Sequence, residues 1–549
     1  MNIVRFAPSP TGNVHIGNIR TAIFDWLFAR KTKGKFLLRI EDTDKERSTR
    51  EAIDRLLECM EWLGIDYDDD IFYQSSQEDA HRDAAKRMME EQNAYYPNVE
   101  NSDLPKPIIF RIPWNSESYQ NVRIVGNVEL NVCADKPVEI TQGGVKFSYL
   151  NEKNKVVENF FALAGYRKLR LFGSDDTLVF EIENHIDEVL KDNKNFTFNG
   201  CKKIAYERRE VFYNDMIKGE LSKPLDSMKD FVILRSDGTP VFHLANVCDD
   251  ITQKVTHIIR GDDHVENTYK HIFLFDVLHY PIPKYAHMPM IVNQSGKPYS
   301  KRDGDAFVGD FKEKGYLPDA LFNYLSLLGW SPGDNREKMS RKEMIEAFGL
   351  DRVKSAPAQF DVVKLQNMNG LYMAELEDSA FLDMARREAS KQGWGEAVDK
   401  EVFEKVAMLM KTRTKIISQV SDWKYFFFDN SPLFDMSTEY NLSSKSFPYD
   451  DKALKKAFKE ETFIKAIASF RDNIEKQQQL ECPADFEAVI RDTEKQCSLS
   501  EGKLNQSLRV ALTGSTSGAN LADTMFILGR ERTCARIEKL LTIILSSKF

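Results

Sequence analysis

The sequence predicts a multidomain α/β protein: a doubly wound parallel sheet, interrupted by an α+β insertion and followed by an all-helical region. Three observations carry this prediction. A short apolar strand, a turn rich in Pro and Gly and an apolar helix follow one another at the N-terminus, period-two alternation marks the middle of the chain, and helical patterning fills nearly everything beyond Leu317. At 549 residues the chain exceeds one hydrophobic core, because single cores stop growing near roughly 250–300 residues. Three to five units are expected.

The elements follow in order. Ile3 to Ala7 is a strand, Pro8 to Gly12 breaks it, and Ile16 to Arg30 carries apolar residues at helical spacing. Lys35 to Ile40 is a second buried strand, so Pro8–His15 and Glu41–Asp44 fall at carboxyl ends of strands and face one crevice. Helices cover Arg50–Leu63 and about Ala80–Gln92, after which Val122, Ile124, Val128, Leu130 and Val132 alternate as in antiparallel strands. From Asn115 to about Arg209 the pattern is an inserted module without a recognisable catalytic constellation. Strands at Phe231–Leu234 and Val255–Arg260 and a helix at Thr268–Leu278 restore the α/β texture, and a last helix runs from about Arg530 to Leu545.

Composition narrows the classes. Hydrophobic residues at 42% with 36 Phe and 6 Trp supply ample core, which excludes a disordered chain. No run of about 18 apolar residues and no signal-peptide pattern is present, so the cytoplasm is the expected address. The seven cysteines, Cys59, Cys133, Cys201, Cys248, Cys482, Cys497 and Cys534, are odd in number and never spaced C-x-x-C; reduced thiols are expected, with neither disulfides nor a structural zinc. A net charge of -9 does not exclude an RNA partner, since phosphate binding depends on local clustering of Lys and Arg.

The chemistry concentrates in Arg5-Phe-Ala-Pro-Ser-Pro-Thr-Gly-Asn-Val-His15-Ile-Gly17-Asn18. A turn and a histidine at a strand-to-helix junction suit phosphate, because free N–H groups and the helix dipole point there. Taken alone, a buried histidine at a helix start is more often structural. Further segments, however, raise its weight.

His15-Ile16-Gly17-Asn18 resembles the H-I-G-H signature of the class I aminoacyl-tRNA synthetases, and Phe6 to Gly12 matches the F-A-P-S-P-T-G opening of their glutamyl members. Lys297-Pro-Tyr-Ser300-Lys301-Arg302 matches the second, S-K-R, signature downstream of His287-Met-Pro-Met290, and His243-Leu-Ala-Asn246 and Ile258-Ile-Arg260-Gly-Asp-Asp-His264 match in order and spacing. The resemblance implies a bacterial-type glutamyl-tRNA synthetase with a Rossmann-like catalytic domain and a helical anticodon-binding region. It covers Met1 to about Ser75 and Phe231 to the end.

That resemblance implies division into 1–115 (first catalytic half), 116–230 (divergent acceptor-end insertion), 231–318 (second catalytic half with the S-K-R loop), 319–373 (helical stem-contact region) and 374–549 (anticodon-binding domain). It also implies roles. His15 and Lys301 are the expected catalytic residues, and His15, Gly17, Asn18, Ser300, Lys301 and Arg302 the ATP contacts. Attack of a carboxylate on the α-phosphorus builds negative charge, so positioning and positive charge suffice. Arg5, Ser9, Glu41, Phe242, Asn246 and Arg260 are the expected glutamate contacts. Arginines suit the two carboxylates, Glu41 suits the ammonium, and Arg260 opposite the side-chain carboxylate rejects glutamine. The competing reading makes Arg260 a structural ion pair with Asp262 or Asp263.

Lys411 and Arg413 are candidate anticodon contacts. ATP with Mg²⁺ is the expected cofactor, and a glutamate tRNA the expected partner, with a glutamine tRNA left open; a monomer is expected. Three departures stand out: Asn18 at the last H-I-G-H position, Pro298 and Tyr299 in the second signature, and Phe242 where a tyrosine is usual. The cysteines of the family's zinc site are absent after Tyr95-Tyr96-Pro97. Two rival readings remain. A tRNA-modifying relative lacks the anticodon domain, and a silent RNA-binding paralogue would not retain His15, Lys301, Glu41 and Arg260.

Overall fold

A computed structural model describes residues 1–44, 48–97, 105–115, 119–427 and 451–546. Its backbone falls into two units, one of Met1–Gly309 with Phe322–Phe360 and one of Asp310–Leu321 with Asp361–Phe549.

In the first unit, β1 (Ile3–Phe6) and β2 (Lys35–Ile40) pair in parallel with Arg5 opposite Leu37, joined by α1 (Ile16–Thr32). α1 is buried on nearly every side from Ile19 to Ala29, as a helix apolar all round must be. Past α2 (Arg50–Trp62), β3 (Phe72–Tyr73) extends the parallel set, with Ile40 opposite Tyr73, and α3 (Glu78–Glu90) follows. β4 (Ala94–Tyr95) and β5 (Ile108–Phe110) make a small antiparallel sheet.

The insertion is antiparallel. β6 (Val122–Asn131), β7 (Val138–Thr141), β8 (Gly144–Leu150), β9 (Val156–Phe161), β10 (Arg167–Phe172), β11 (Leu178–Glu181), α4 (Ile186–Leu190), β12 (Phe196–Phe198), β13 (Lys203–Asp215) and β14 (Gly219–Pro224) build two sheets. They share their own core around Ile140, Phe147, Leu171 and Ile204. β13 runs on beyond that core, and Asp215, its last residue, pairs with Tyr285.

The parallel sheet resumes after β15 (Phe231–Leu234), which pairs with β5. α5 (Phe242–Thr252) leads to β16 (His257–Gly261), and α6 (Val265–Val277) to β17 (Lys284–Met288), which pairs with β16 in parallel. The Thr256 N–H donates to the Ile3 carbonyl at 2.9 Å, which sets β1 beside the start of β16. The strand order is therefore β3-β2-β1-β16-β17, a doubly wound parallel sheet whose strand order switches between β1 and β16. β18 (Ile291–Val292) pairs with β19 (Ala358–Gln359). α7 (Val308–Glu313), α8 (Pro318–Leu327) and α9 (Arg341–Ala347) complete the helices of this stretch.

Helices dominate the second unit: α10 (Val362–Glu375), α11 (Asp378–Lys391), α12 (Lys400–Met410), α13 (Asp451–Ala457), α14 (Glu461–Glu475), α15 (Pro483–Gln496), α16 (Asn505–Thr513) and α17 (Leu521–Ser546). Trp423, Phe381, Phe403 and Phe470 pack at its centre. α17 is broken at Gly529, where φ is 76°, so the predicted start near Arg530 matches its second segment. The helical reading of residues 428–450 lies outside the described residues, as does the start of the insertion at 116–118. Among the described residues no helix is long and apolar enough to cross a membrane.

Candidate active site

A crevice of about 660 Å³ opens at the carboxyl ends of β1 and β16, the switch point where open α/β sheets receive ligands. Arg5 comes from β1, Ser9 from the turn after it, and His15, Gly17 and Asn18 from the start of α1. Glu41 follows β2, Phe242 and Asn246 lie on α5, and Arg260 lies on β16. Nine positions picked from four separated segments thus line one cavity.

His15 caps α1, its Nδ1 accepting from the Gly17 N–H at 3.0 Å. That bond fixes the imidazole proton on Nε2. Burial lowers the His15 pKa, opposed by a hydrogen bond to the Tyr299 backbone, so the ring is a neutral donor at pH 7. A Cβ at position 17 would stand 3.1 Å from His15 Nδ1, which explains a glycine there.

Arg5, Arg39, Glu41, Asp250 and Asn246 form one buried network. Arg5 Nε donates to Asp250 at 2.9 Å, Arg39 donates to Asp250 at 2.6 Å and to Glu41 at 3.3 Å, and Asn246 Nδ2 donates to Glu41 at 2.9 Å. Burial raises the Glu41 carboxyl, opposed by Arg39 and Arg5. For Asp250 burial pulls up, but Arg39 and Arg5 outweigh it and hold the carboxyl below its usual range. Asn246 Oδ1 is buried with no protein partner among the described residues, an acceptor facing a crevice that Glu41 also lines.

Arg260 is different. It is 6% exposed, and its Nε donates to His287 Nε2 at 3.2 Å while Nη2 donates to Thr268 Oγ1 at 2.7 Å and the His264 carbonyl at 3.2 Å. All three acceptors are neutral. Asp262 pairs instead with Lys218 at 3.0 Å, and Asp263 lies 3.7 Å from His264. The structural ion pair considered for Arg260 is therefore not formed. Burial lowers its pKa, yet a guanidinium remains charged near neutrality. Among the described residues this buried cation has no carboxylate partner of its own.

The second signature is stitched to the first. Ile16 N–H donates to the Ala306 carbonyl, Val308 N–H to the Val14 carbonyl, both at 2.9 Å, and His15 and Phe307 form an antiparallel bridge. The Phe307 ring lies edge-on to His15 at 6.1 Å and under Lys301 Nζ at 5.8 Å, so both candidate catalytic groups meet one ring. Asp303 organises the loop, accepting from Ser300 N–H and Oγ at 2.9 Å and from Asn293 Nδ2 at 2.7 Å. Pro298 and Tyr299 line the crevice, the Tyr299 ring packing tilted against Phe360 at 4.6 Å. Ser300, Lys301 and Arg302 stand outside its lining, the last two exposed.

In the second unit, Lys411 Nζ donates to the Leu376 carbonyl and pairs with Asp378 at 2.7 Å, tying the end of α12 to the junction of α10 and α11. Arg413 is exposed and close enough to Arg509 to depress its basicity, although burial is the larger cause. Among the described residues no three His, Cys, Asp or Glu side chains gather as a cation site. Reading the sequence missed Arg39, Asp250, Thr268, His287 and Asp215; His287 and Asp250 sit within or beside matched strings, while Asp215 carried no signal.

Comparison with known proteins agrees over nearly the whole chain. Residues 2–106 and 187–367 match the family described as tRNA synthetases class I (E and Q), catalytic domain, and 380–541 match an anticodon binding domain. A glutamate–tRNA ligase of Francisella philomiragia is 32% identical over 542 residues, 98% of each chain. Glutamate–tRNA ligase 1 of Caldanaerobacter subterraneus is 32% identical over 545 residues, again 98% of each. A solved glutamate tRNA ligase from Elizabethkingia meningosepticum, in complex with its amino acid, is similar at TM-score 0.62 and 25% identity, covering 98% of this chain and 99% of that one.

Proposed function

The chain belongs to the class I tRNA synthetases of the glutamate and glutamine type, and from that membership we infer that it is a glutamate–tRNA ligase. It activates L-glutamate with ATP and esterifies it to the 3′ end of tRNA, releasing pyrophosphate and then AMP.

In the first step a glutamate α-carboxylate oxygen attacks the α-phosphorus and pyrophosphate leaves. No protein nucleophile is needed. His15 donates from Nε2 to the phosphates, and Lys301, on its loop above Phe307, neutralises charge on the departing pyrophosphate. Gly17 and Asn18 present the start of α1 to the nucleotide, while Ser300 and Arg302 complete the loop's contacts. In the second step a ribose hydroxyl of the terminal adenosine attacks the glutamyl carbonyl and AMP departs.

Glu41 and Asn246 Oδ1 take the ammonium, Arg5 and Ser9 the α-carboxylate, and Arg260 the side-chain carboxylate, with Phe242 as a wall. The observation that carries this reading is Arg260, buried, with only neutral acceptors among the described residues. An anionic ligand compensates such a charge, whereas glutamine's amide does not. Acceptor-end binding falls to 116–230 and anticodon reading to 374–549, including Arg413. The enzyme works as a cytoplasmic monomer.

The test is aminoacylation of separately purified glutamate and glutamine tRNAs with labelled glutamate. Charging of the first alone identifies a discriminating ligase, and charging of both a broader one; charging of neither refutes the function. Lys301→Ala should slow activation at least tenfold while leaving tRNA affinity within twofold, because its charge is used in the transition state. Activation within threefold of the parent removes Lys301 from that role.

A further inference from the structure

Arg260 is held from behind by a relay of Thr268, His287 and Asp215. A guanidinium only donates, so the bond from Arg260 Nε at 3.2 Å requires a bare lone pair on His287 Nε2. Thr268 Oγ1, which accepts from Arg260 Nη2, lies 3.1 Å from the same nitrogen. The single imidazole proton must then sit on Nδ1, which is 2.6 Å from Asp215 Oδ2. His287 is fully buried and Asp215 is 4% exposed. Burial lowers the His287 pKa, against the pull of Asp215, which keeps the ring neutral.

Asp215 is itself fixed by backbone. Its Oδ1 accepts from the N–H groups of Ile217 and Lys218, both at 2.9 Å, and its Oδ2 accepts from the His287 N–H at 3.1 Å. The carboxylate therefore cannot swing away from the imidazole without abandoning three donors. It is also the last residue of β13, the strand that begins in the core of the insertion.

We propose that Asp215 and His287 are positioning residues that set the orientation of Arg260 and through it the selection of the glutamate side-chain carboxylate. This rests on reading Arg260 as that carboxylate's partner. The relay works by tautomer choice: with its proton on Nδ1 the imidazole accepts from Arg260, and with its proton on Nε2 it confronts Arg260 with a second donor and turns the guanidinium away.

Substitutions of equal volume separate this from packing. In Asp215→Asn the Ile217 and Lys218 N–H groups hold the amide oxygen, so the NH₂ faces Nδ1 and drives the imidazole proton to Nε2. His287→Gln places an amide oxygen near the position of Nε2, independent of residue 215, whereas His287→Leu removes the acceptor.

The experiment is aminoacylation by the full-length chain with glutamate titrated at saturating ATP and tRNA. D215N and H287L should each raise KM for glutamate at least tenfold with KM for ATP within twofold of the parent. H287Q should stay within threefold, and adding D215N to H287Q should change KM for glutamate less than twofold. In ¹⁵N-histidine spectra, D215N should move the His287 proton from Nδ1 to Nε2. If D215N and H287L keep KM for glutamate within twofold while Arg260→Ala raises it, the relay is refuted and the reading of Arg260 stands. If H287Q is as impaired as H287L, the relay is refuted as well. An Arg260→Ala enzyme with unchanged KM for glutamate would bring down the site reading itself.

Discussion

Asp25 stands in the middle of α1, fully buried, and neither carboxylate oxygen has a hydrogen-bond partner among the described residues. Burial raises its pKa well above the usual range, only partly opposed by Arg5. In the unfolded chain the group titrates near ~3.9. Below that value both states are protonated and stability is complete; as pH rises from there through the folded value, the unfolded chain ionises freely while the native state must keep its proton or leave a charge in an apolar site, and stability is lost. Asp25→Asn, which cannot ionise, should therefore stabilise the protein at pH 8 and by much less at pH 4. Urea unfolding at both pH values decides the matter, and equal gains would contradict the assignment. His15 allows a second separation of roles. Asparagine also caps helices, so His15→Asn should leave stability within about 0.5 kcal/mol yet slow adenylate formation more than tenfold for want of the Nε2 donor. A large loss of stability with little loss of rate would make His15 a cap alone.

Among the elements, those with a strong period were legible in the sequence. Lys35–Ile40 is the strand predicted, and the helix expected over Ala80–Gln92 spans Glu78–Glu90, its early start reflecting acidic residues that favour a first turn. β3, β4 and β18 have two residues each, too short for any alternation to register. The candidate site was legible wherever a side chain faces the crevice from a strand end or helix start, as for Arg5, His15 and Arg260. Asp215 and Asp250 were not, because their partners lie far off in the chain, His287 at 72 residues from Asp215 and Arg5 at 245 from Asp250, and no local pattern encodes such a pairing. One glycine has a plain mechanical role. At Gly315, just past α7, φ is 77° and a Cβ would stand 2.0 Å from Ile417 Cγ2. Gly315→Ala should cost about 1–3 kcal/mol from strain and overpacking in denaturant unfolding; a loss below about 0.5 kcal/mol would show that the two segments part easily.

At the scale of the molecule, the two units have separate cores. Every residue lining the crevice belongs to the first unit, so ligands that fill it stabilise that unit directly. Glutamate with a non-hydrolysable ATP analogue, each at about a hundred times its Kd, should raise the first unit's unfolding free energy by about 2.7 kcal/mol per independent site. The fluorescence of Trp394 and Trp423, both in the second unit, should report an unchanged transition in a variant retaining only those two tryptophans. A matching shift there would mean that the two units unfold together.

The hydrogen bonds between Ile3 and Thr256 span 253 residues, and this separation has a consequence during synthesis. One edge of β1 is satisfied early, once β2 has emerged. The other waits for Thr256, an interval of roughly 13–50 s at about 5–20 residues per second. Throughout that time the nascent chain displays an apolar strand edge, while the insertion already has the residues of its core around Ile140, Phe147, Leu171 and Ile204. The crevice comes into being only when the ribosome has delivered the second half of its sheet, and chaperone binding to the nascent chain should peak before that moment and fall after it.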